Sequence, residues 1–220
     1  MMYDLTEYSE LAREQGRENF RIENTEVYGL TKAIIASGNP MRTSMADNTK
    51  EPVAKDLARA ISLGTTKIGE GHDQYLTGII AQFDIYAPLY MWKEIQRYHF
   101  LDFISSQSTM HKLVKFNVVS NCNPDVDEVI LNRYQELLDE YNNLPEDTIQ
   151  IARTNKWRTL VASLPAGFIL GATLTTNYRQ LKTIYNQRKN HKLIEWHWFC
   201  DWCEKLPRFL ELCVNKKEED

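Results

Sequence analysis

A chain of 220 residues, 43% hydrophobic and 25% charged, is long enough to bury a sizeable core and ordinary in composition for a globular protein. Its formal net charge of −4 argues against a surface built to neutralise nucleic-acid phosphates, which needs a basic excess. No run approaches the roughly 20 apolar residues that cross a bilayer, and the opening stretch MMYDLTEYSELAREQGREN lacks the apolar core of a signal peptide, so the expectation is a cytoplasmic protein with neither nucleic acid nor membrane as partner.

In chain order, Asp4 to Phe20 reads as a charged helix, and Asn24 to Ser37 as a strand or helix closed by the turn signal Gly38-Asn39-Pro40. Met41 to Glu51 is a polar loop, Pro52 to Leu63 a short helix, and Gly64 to Gly71 a glycine-punctuated loop. Leu76 to Ala87 alternates and carries β-branched residues, which predicts a strand. Ala87-Pro88 then opens a helix, proline being tolerated in a first turn, and the pattern runs on through LYMWKEIQRYHFLDF. Leu113 to Val119 is read as a second strand. Asn123-Pro124-Asp125 caps an amphipathic helix with Val126, Val129, Ile130, Tyr134, Leu137, Leu138 and Tyr141 at helical spacing, ended by Leu144-Pro145.

The stretch from Leu164 to Glu195 changes period. Thr173, Thr175, Asn177 and Arg179 alternate as on one strand face; Leu181, Ile184, Tyr185 and Arg188 then fall on one helix stripe, so Arg188 stands where leucine is usual. If that helix continues, His191 and Glu195 follow at i+3 and i+7 and stack an imidazole and a carboxylate beside the guanidinium. Two readings stand at Arg188: an internal ion pair, with Glu195 or another acid, and a contact to an anionic or carbonyl-bearing ligand. An aromatic helix over Leu193 to Leu206 is stopped by Pro207, before a last short helix and a charged tail. Its Cys200-Asp201-Trp202-Cys203 spells C-x-x-C, but with no second pair and no preceding strand it reads as packed thiols, so no metal is expected. With no repeats and no linker, residues 1–220 read as a single α/β domain.

The order of parts resembles the flavin-dependent thymidylate synthases, the ThyX family. The C-terminal block is the most specific: the family's L-P, N-x-R, a further R and H-x-x-x-E correspond to Leu164-Pro165, Asn177-Tyr178-Arg179, Arg188 and His191-Lys192-Leu193-Ile194-Glu195. Gly71-His72-Asp73 stands where the family has G-H-E, and Ala87-Pro88 falls in register. The signature R-H-R-x-x-S-x-N-E-x-S-x-R-Y would begin at Arg97, and only that arginine matches. His99, Asp102, Ile104, Ser105, Gln107 and Thr109 replace the second arginine, first serine, asparagine, glutamate, second serine and last arginine. Gly171 lies where the family places a nucleotide-binding arginine.

The resemblance implies an α/β or α+β fold, with a mixed or antiparallel central sheet flanked by helices, assembled as a homotetramer. It implies FAD reduced by NADPH, and methylene transfer from methylenetetrahydrofolate to carbon 5 of dUMP without a cysteine nucleophile. Residues similar to the flavin-facing set are Ser37, His72, Asn177, Arg179 and His191, with His99 a further candidate; Arg97 and Arg188, with Glu94 in place of a glutamine, are similar to the substrate-facing set. Arg188 and Arg97 would orient the pyrimidine or stabilise charge on its carbonyl. Plainer roles stand beside these: Asn177 as the N-cap of the following helix, His99 packed on a stripe with Trp92 and Phe103, Arg97 in a surface pair with Glu94. The altered signature implies a changed substrate or, as the alternative, a non-catalytic relative that binds nucleotides or partners.

Overall fold

Strand β1, Arg21–Tyr28, opens the described part of a computed structural model that covers residues 20–45 and 50–214. The helix expected over Asp4 to Phe20 and the charged tail lie outside the described residues, apart from Phe20, which is not helical. Gly29, at φ 77°, ends β1 and caps helix α1, Leu30–Ala36, so the segment read as strand or helix is one of each. A Cβ at Gly29 would stand 2.3 Å from the Gly78 carbonyl oxygen, so the position requires glycine twice over.

Helix α2, Ala54–Gly64, follows the polar loop. Gln74–Gly78 is a 3-10 turn, so the strand expected from Leu76 begins later, as β2, Ile80–Pro88. Pro88 caps α3, Leu89–Ile95. The helical pattern predicted to run on to Phe103 is broken after Ile95: Phe100 takes φ 60°, its carbonyl accepts from Thr176 Oγ1 at 2.6 Å, and Leu101–Ser106 is strand β3. The strand expected over Leu113 to Val119 is also absent. Ser108 caps a single turn, α4, Thr109–Lys112, followed by the 3-10 turn Leu113–Lys115, and Asn117 bends the chain by accepting the Ser120 N–H at 3.2 Å. Helix α5, Glu128–Asn142, is capped by Asp127, while Asn123 folds an Asx turn onto the Asp125 N–H at 2.7 Å. Then come α6, Gln150–Ser163; β4, Ile169–Asn177; α7, Tyr178–Arg188; α8, Ile194–Lys205; and α9, Phe209–Cys213.

The sheet order is β1-β2-β4-β3. Pairs across neighbouring strands run in opposite senses: Asn24 reaches Asp84 and Gly29 approaches Gly78; the Tyr178 N–H meets the Ile79 carbonyl and the Leu89 N–H that of Phe168; Phe100 meets Thr176 and Gln107 meets Gly171. The sheet is therefore antiparallel and the fold α+β, as the sequence resemblance implied. Alternation gives it a buried face, Ala81, Phe83, Ile85, Ala172 and Leu174, and a polar one, Gln82, Asp84, Tyr86, Thr173 and Thr175.

Among the described residues, chain contacts divide into two compact units, 20–21 with 85–97 and 105–172, and 22–45 with 50–84, 98–104 and 173–214. In the first, α5 and α6 close over a core of Leu113, Val118, Tyr134, Leu138, Leu160 and Phe168, and the Trp92 indole donates to the Ala87 carbonyl at 3.0 Å. In the second, Phe83 meets Trp202 at 4.4 Å and Phe199 at 6.4 Å, while Tyr178 and Tyr185 set their rings against Phe209. Each such buried side chain contributes about 1.5–3 kcal/mol. The tryptophan-rich helix is thus held by packing.

Candidate functional site

Asp73 anchors the polar cluster of the second unit. It follows a loop in which Gly69 and Gly71 take φ of 101° and 80°, and it is only 2% exposed. One carboxylate oxygen accepts from Lys182 Nζ at 2.8 Å, the other from Arg179 Nε at 2.9 Å, and Lys182 also donates to the Thr66 carbonyl at 2.7 Å. Arg179 and Lys182 are one helical turn apart on α7, which places both above the same carboxylate. Burial alone would raise the Asp73 carboxyl, but the hydrogen bonds from Lys182 and Arg179, with their charges, hold it below the ordinary carboxylate range.

A cavity of about 450 Å³ opens beside this cluster, lined by Asp73, Gln74, Thr77, Asn177, Arg179, Gln180 and Thr183, with Ile68 and Phe100 adding apolar surface. Asn177 caps α7, its Oδ1 accepting the Gln180 N–H at 3.0 Å. The cap reading of Asn177 therefore holds, and the same side chain also lines the cavity. On this wall Gln74, Asn177 and Gln180 carry amide donors and Arg179 a permanent cation, while the Thr77 and Thr183 hydroxyls donate to the Gln74 and Arg179 carbonyls.

Arg188 belongs to a neighbouring cluster of the same unit and is not among the lining residues. Its Nε donates to Tyr98 Oη at 2.6 Å, its guanidinium lies 4.6 Å from the Trp196 ring centroid, and Tyr98 Oη donates onward to Gln187 Oε1 at 3.1 Å. Arg188 is half-buried on this aromatic shelf. The continuous stack expected along one helix is corrected: α7 ends at Arg188, His191 lies in the connecting turn, and Glu195 is buried in the first turn of α8. The His191 N–H nonetheless donates to the Arg188 carbonyl at 3.0 Å, its Nδ1 accepts the Leu193 N–H at 3.1 Å, and its ring meets Trp196 edge-on.

The other candidates are spread out. Ser37 is buried, donates to the Ile34 carbonyl at 2.7 Å and accepts from Arg59 Nε at 3.2 Å, while Arg59 also pairs with Asp56 at 2.6 Å. His72 is exposed on the glycine loop. His99 is exposed past the end of α3, so the packed-stripe reading fails with the helix that carried it. Glu94 and Arg97 belong to the other unit: Glu94 is half-buried in α3 and Arg97 is exposed, its N–H donating to the Glu94 carbonyl at 3.2 Å. Gly171 is buried, and a Cβ there would stand 2.7 Å from the Tyr86 ring, so a side chain at this position requires that ring to move.

Sequence reasoning placed Asp73 only within the Gly71-His72-Asp73 match and gave it no role, and it missed Lys182 and Tyr98. Lys182 adjoins the Leu181-Ile184-Tyr185 stripe, where a lysine reads as the solvent edge, and its partner is 109 residues away. Among the described residues no group of three or more His, Cys, Asp or Glu could hold a metal, and no helix is long and apolar enough to cross a membrane.

No protein-family pattern matches the chain, and no characterised protein matches it by sequence. Solved structures do. The flavin-dependent thymidylate synthase ThyX from Helicobacter pylori, complexed with FAD and dUMP, superposes with a TM-score of 0.60 at 15% identity, over 89% of this chain and 100% of that one. A second structure of the same organism's enzyme, again with FAD and dUMP, gives 0.60 at 16% identity, over 91% and 99%. At such identity the likeness establishes the fold, which is the one the C-terminal block implied.

Proposed function

We propose, from the fold this chain shares with flavin-dependent thymidylate synthases, that it binds FAD and a pyrimidine nucleotide, dUMP or a relative, and transfers a one-carbon group reductively to pyrimidine carbon 5. The observation that carries the reading is the donor-lined cavity at the start of α7. Asn177 and Arg179, matched by the sequence resemblance, meet there around a volume of about 450 Å³, within the range of small-molecule sites. Arg179, Gln74 and Gln180 would hold the polar part of the flavin nucleotide and Phe100 would cover apolar surface. Bound flavin supplies the redox chemistry. Arg188, fixed by Tyr98 and Trp196, would face the pyrimidine, where a preorganised cation stabilises charge developing on a carbonyl oxygen. Arg97 is proposed as its partner in this work, with Glu94, His72, His99, Ser37 and His191 as supporting contacts in a homotetramer.

One observation favours the alternative, a non-catalytic nucleotide-binding or interaction protein. Tyr86 lies across Gly171, where the family places a nucleotide-binding arginine, so an arginine there would have to displace that ring. Titrating purified protein with FAD and dUMP decides between them. The catalytic reading expects a yellow protein whose melting temperature rises with FAD, and an Arg188→Ala variant that folds but binds dUMP at least about tenfold more weakly. A colourless protein that FAD does not stabilise would end it.

A further inference from the structure

Lys182 is a charged side chain with no route to a ligand. It is 3% exposed, it is absent from the cavity lining, and its ammonium is spent on Asp73 at 2.8 Å and the Thr66 carbonyl at 2.7 Å. Asp73 in turn touches Arg179, whose side chain is 37% exposed and lines the cavity. A carboxylate facing Arg179 alone would cancel its charge. With Lys182 on the other oxygen, the three groups sum to one net positive charge, and the only member of the trio open to solvent is Arg179.

From this geometry we infer that the cavity beside α7 is an anion site of phosphate or pyrophosphate chemistry, with Arg179 as the contacting cation and Lys182 as a positioning residue that neutralises Asp73 from behind. Three details fit. Asp73 takes the Nε–H of Arg179, which holds the planar guanidinium at the cavity wall. Of the remaining polar lining, the Gln74 and Gln180 amides can donate hydrogen bonds to oxyanions, while the Thr77 and Thr183 hydroxyls already donate to the Gln74 and Arg179 carbonyls. The cavity also borders the start of an eleven-residue helix, whose dipole adds to the positive potential. The inference rests on the reading above that this cavity holds a ligand, and it names the part of that ligand held here.

Isothermal titration with inorganic pyrophosphate, FAD and riboflavin tests it. Pyrophosphate and FAD are expected to bind and riboflavin, which lacks phosphate, to bind at least about tenfold more weakly. Arg179→Gln should lose at least about tenfold in pyrophosphate affinity, and so should Lys182→Met, although Lys182 touches no ligand, because Asp73 then cancels Arg179. The double variant Lys182→Met with Asp73→Asn removes both hidden charges, keeps an acceptor for Arg179, and should return to within about twofold of the parent. A simple packing role for Lys182 would not give that rescue. Should Lys182→Met fail to fold, Arg179→Gln placed in the double variant takes over as the losing member of the comparison. Parental pyrophosphate binding in Lys182→Met or Arg179→Gln, or no recovery in a folded double variant, would overturn the inference. Pyrophosphate binding that follows this pattern without any FAD binding would keep the anion site and remove the flavin reading.

Discussion

At the residue scale the controlling feature is the burial of opposite charges around Asp73. Asp73 and Lys182 are each 3% exposed at the side chain, and breaking such a pair by removing one partner costs about 3–5 kcal/mol, because the survivor stays buried and unpaired. Asp73→Asn is therefore expected to unfold at markedly lower denaturant concentration than the parent. The acid limb has a definite sign. The folded-state carboxyl lies below its ordinary value of 3.8, so its stabilisation is complete above that pH and is lost as pH falls through 3.8 and then through the lower folded value. Melting temperatures measured from pH 6 to pH 3 should fall more shallowly for Asp73→Asn than for the parent; equal slopes would show that Asp73 titrates alike in both states. Arg188 was legible in the sequence because a guanidinium on an apolar stripe is conspicuous. Lys182 was not, because a lysine beside a stripe is usual and only a contact across 109 residues buries it.

Elements were legible where local chemistry and tertiary packing agree. The strand and helix on either side of Asn177 were both read, but the alternation was carried two residues too far, to Arg179; the reading of Asn177 as an N-cap marks the boundary where β4 ends and α7 begins. The run after Pro88 misled, because Tyr98, Phe100 and Leu101 continue a helical pattern on paper. In the fold Tyr98 is taken by Arg188 and the Phe100 carbonyl by Thr176, partners that no local window contains. Leu113 to Val119 failed differently, through Ser and Asn side chains that bond their own backbone and turn the chain. The cap itself can be separated from any ligand role. Asn177→Ala should cost about 1 kcal/mol of stability by leaving the Gln180 N–H without its acceptor. Asn177→Asp keeps an oxygen there and should retain the parent's melting temperature, while its negative charge beside Arg179 weakens phosphate-class ligands. Equal stability of Asn177→Ala and the parent, read by chemical denaturation, would mean the cap is energetically idle.

Across the whole molecule, sheet and helices are arranged so that cysteine chemistry is shut off. Cys122, Cys200, Cys203 and Cys213 are all buried and free, and burial pushes their thiols up, Cys122 to about 11 and Cys200 to about 12, with Cys203 and Cys213 also raised. The C-x-x-C spelling belongs to the packed aromatic helix, where Cys203 faces the core and the pull of Lys189 on Cys200 does not outweigh the loss of hydration. A thiol of pKa near 11 is only about one part in a thousand thiolate at pH 8, so native-state reaction must wait for an opening that exposes the sulfur. Disulfide-exchange reagents at pH 8 are therefore expected to leave the native thiols unmodified over the minutes in which the denatured chain titrates all four cysteines. Saturating ligand should slow the residual native reaction further, because whatever binds the folded state lowers the population of its globally opened forms. Rapid native labelling of Cys200 or Cys203, or protection of that pair by zinc, would instead make the motif a working thiol site and remove the packing account of α8.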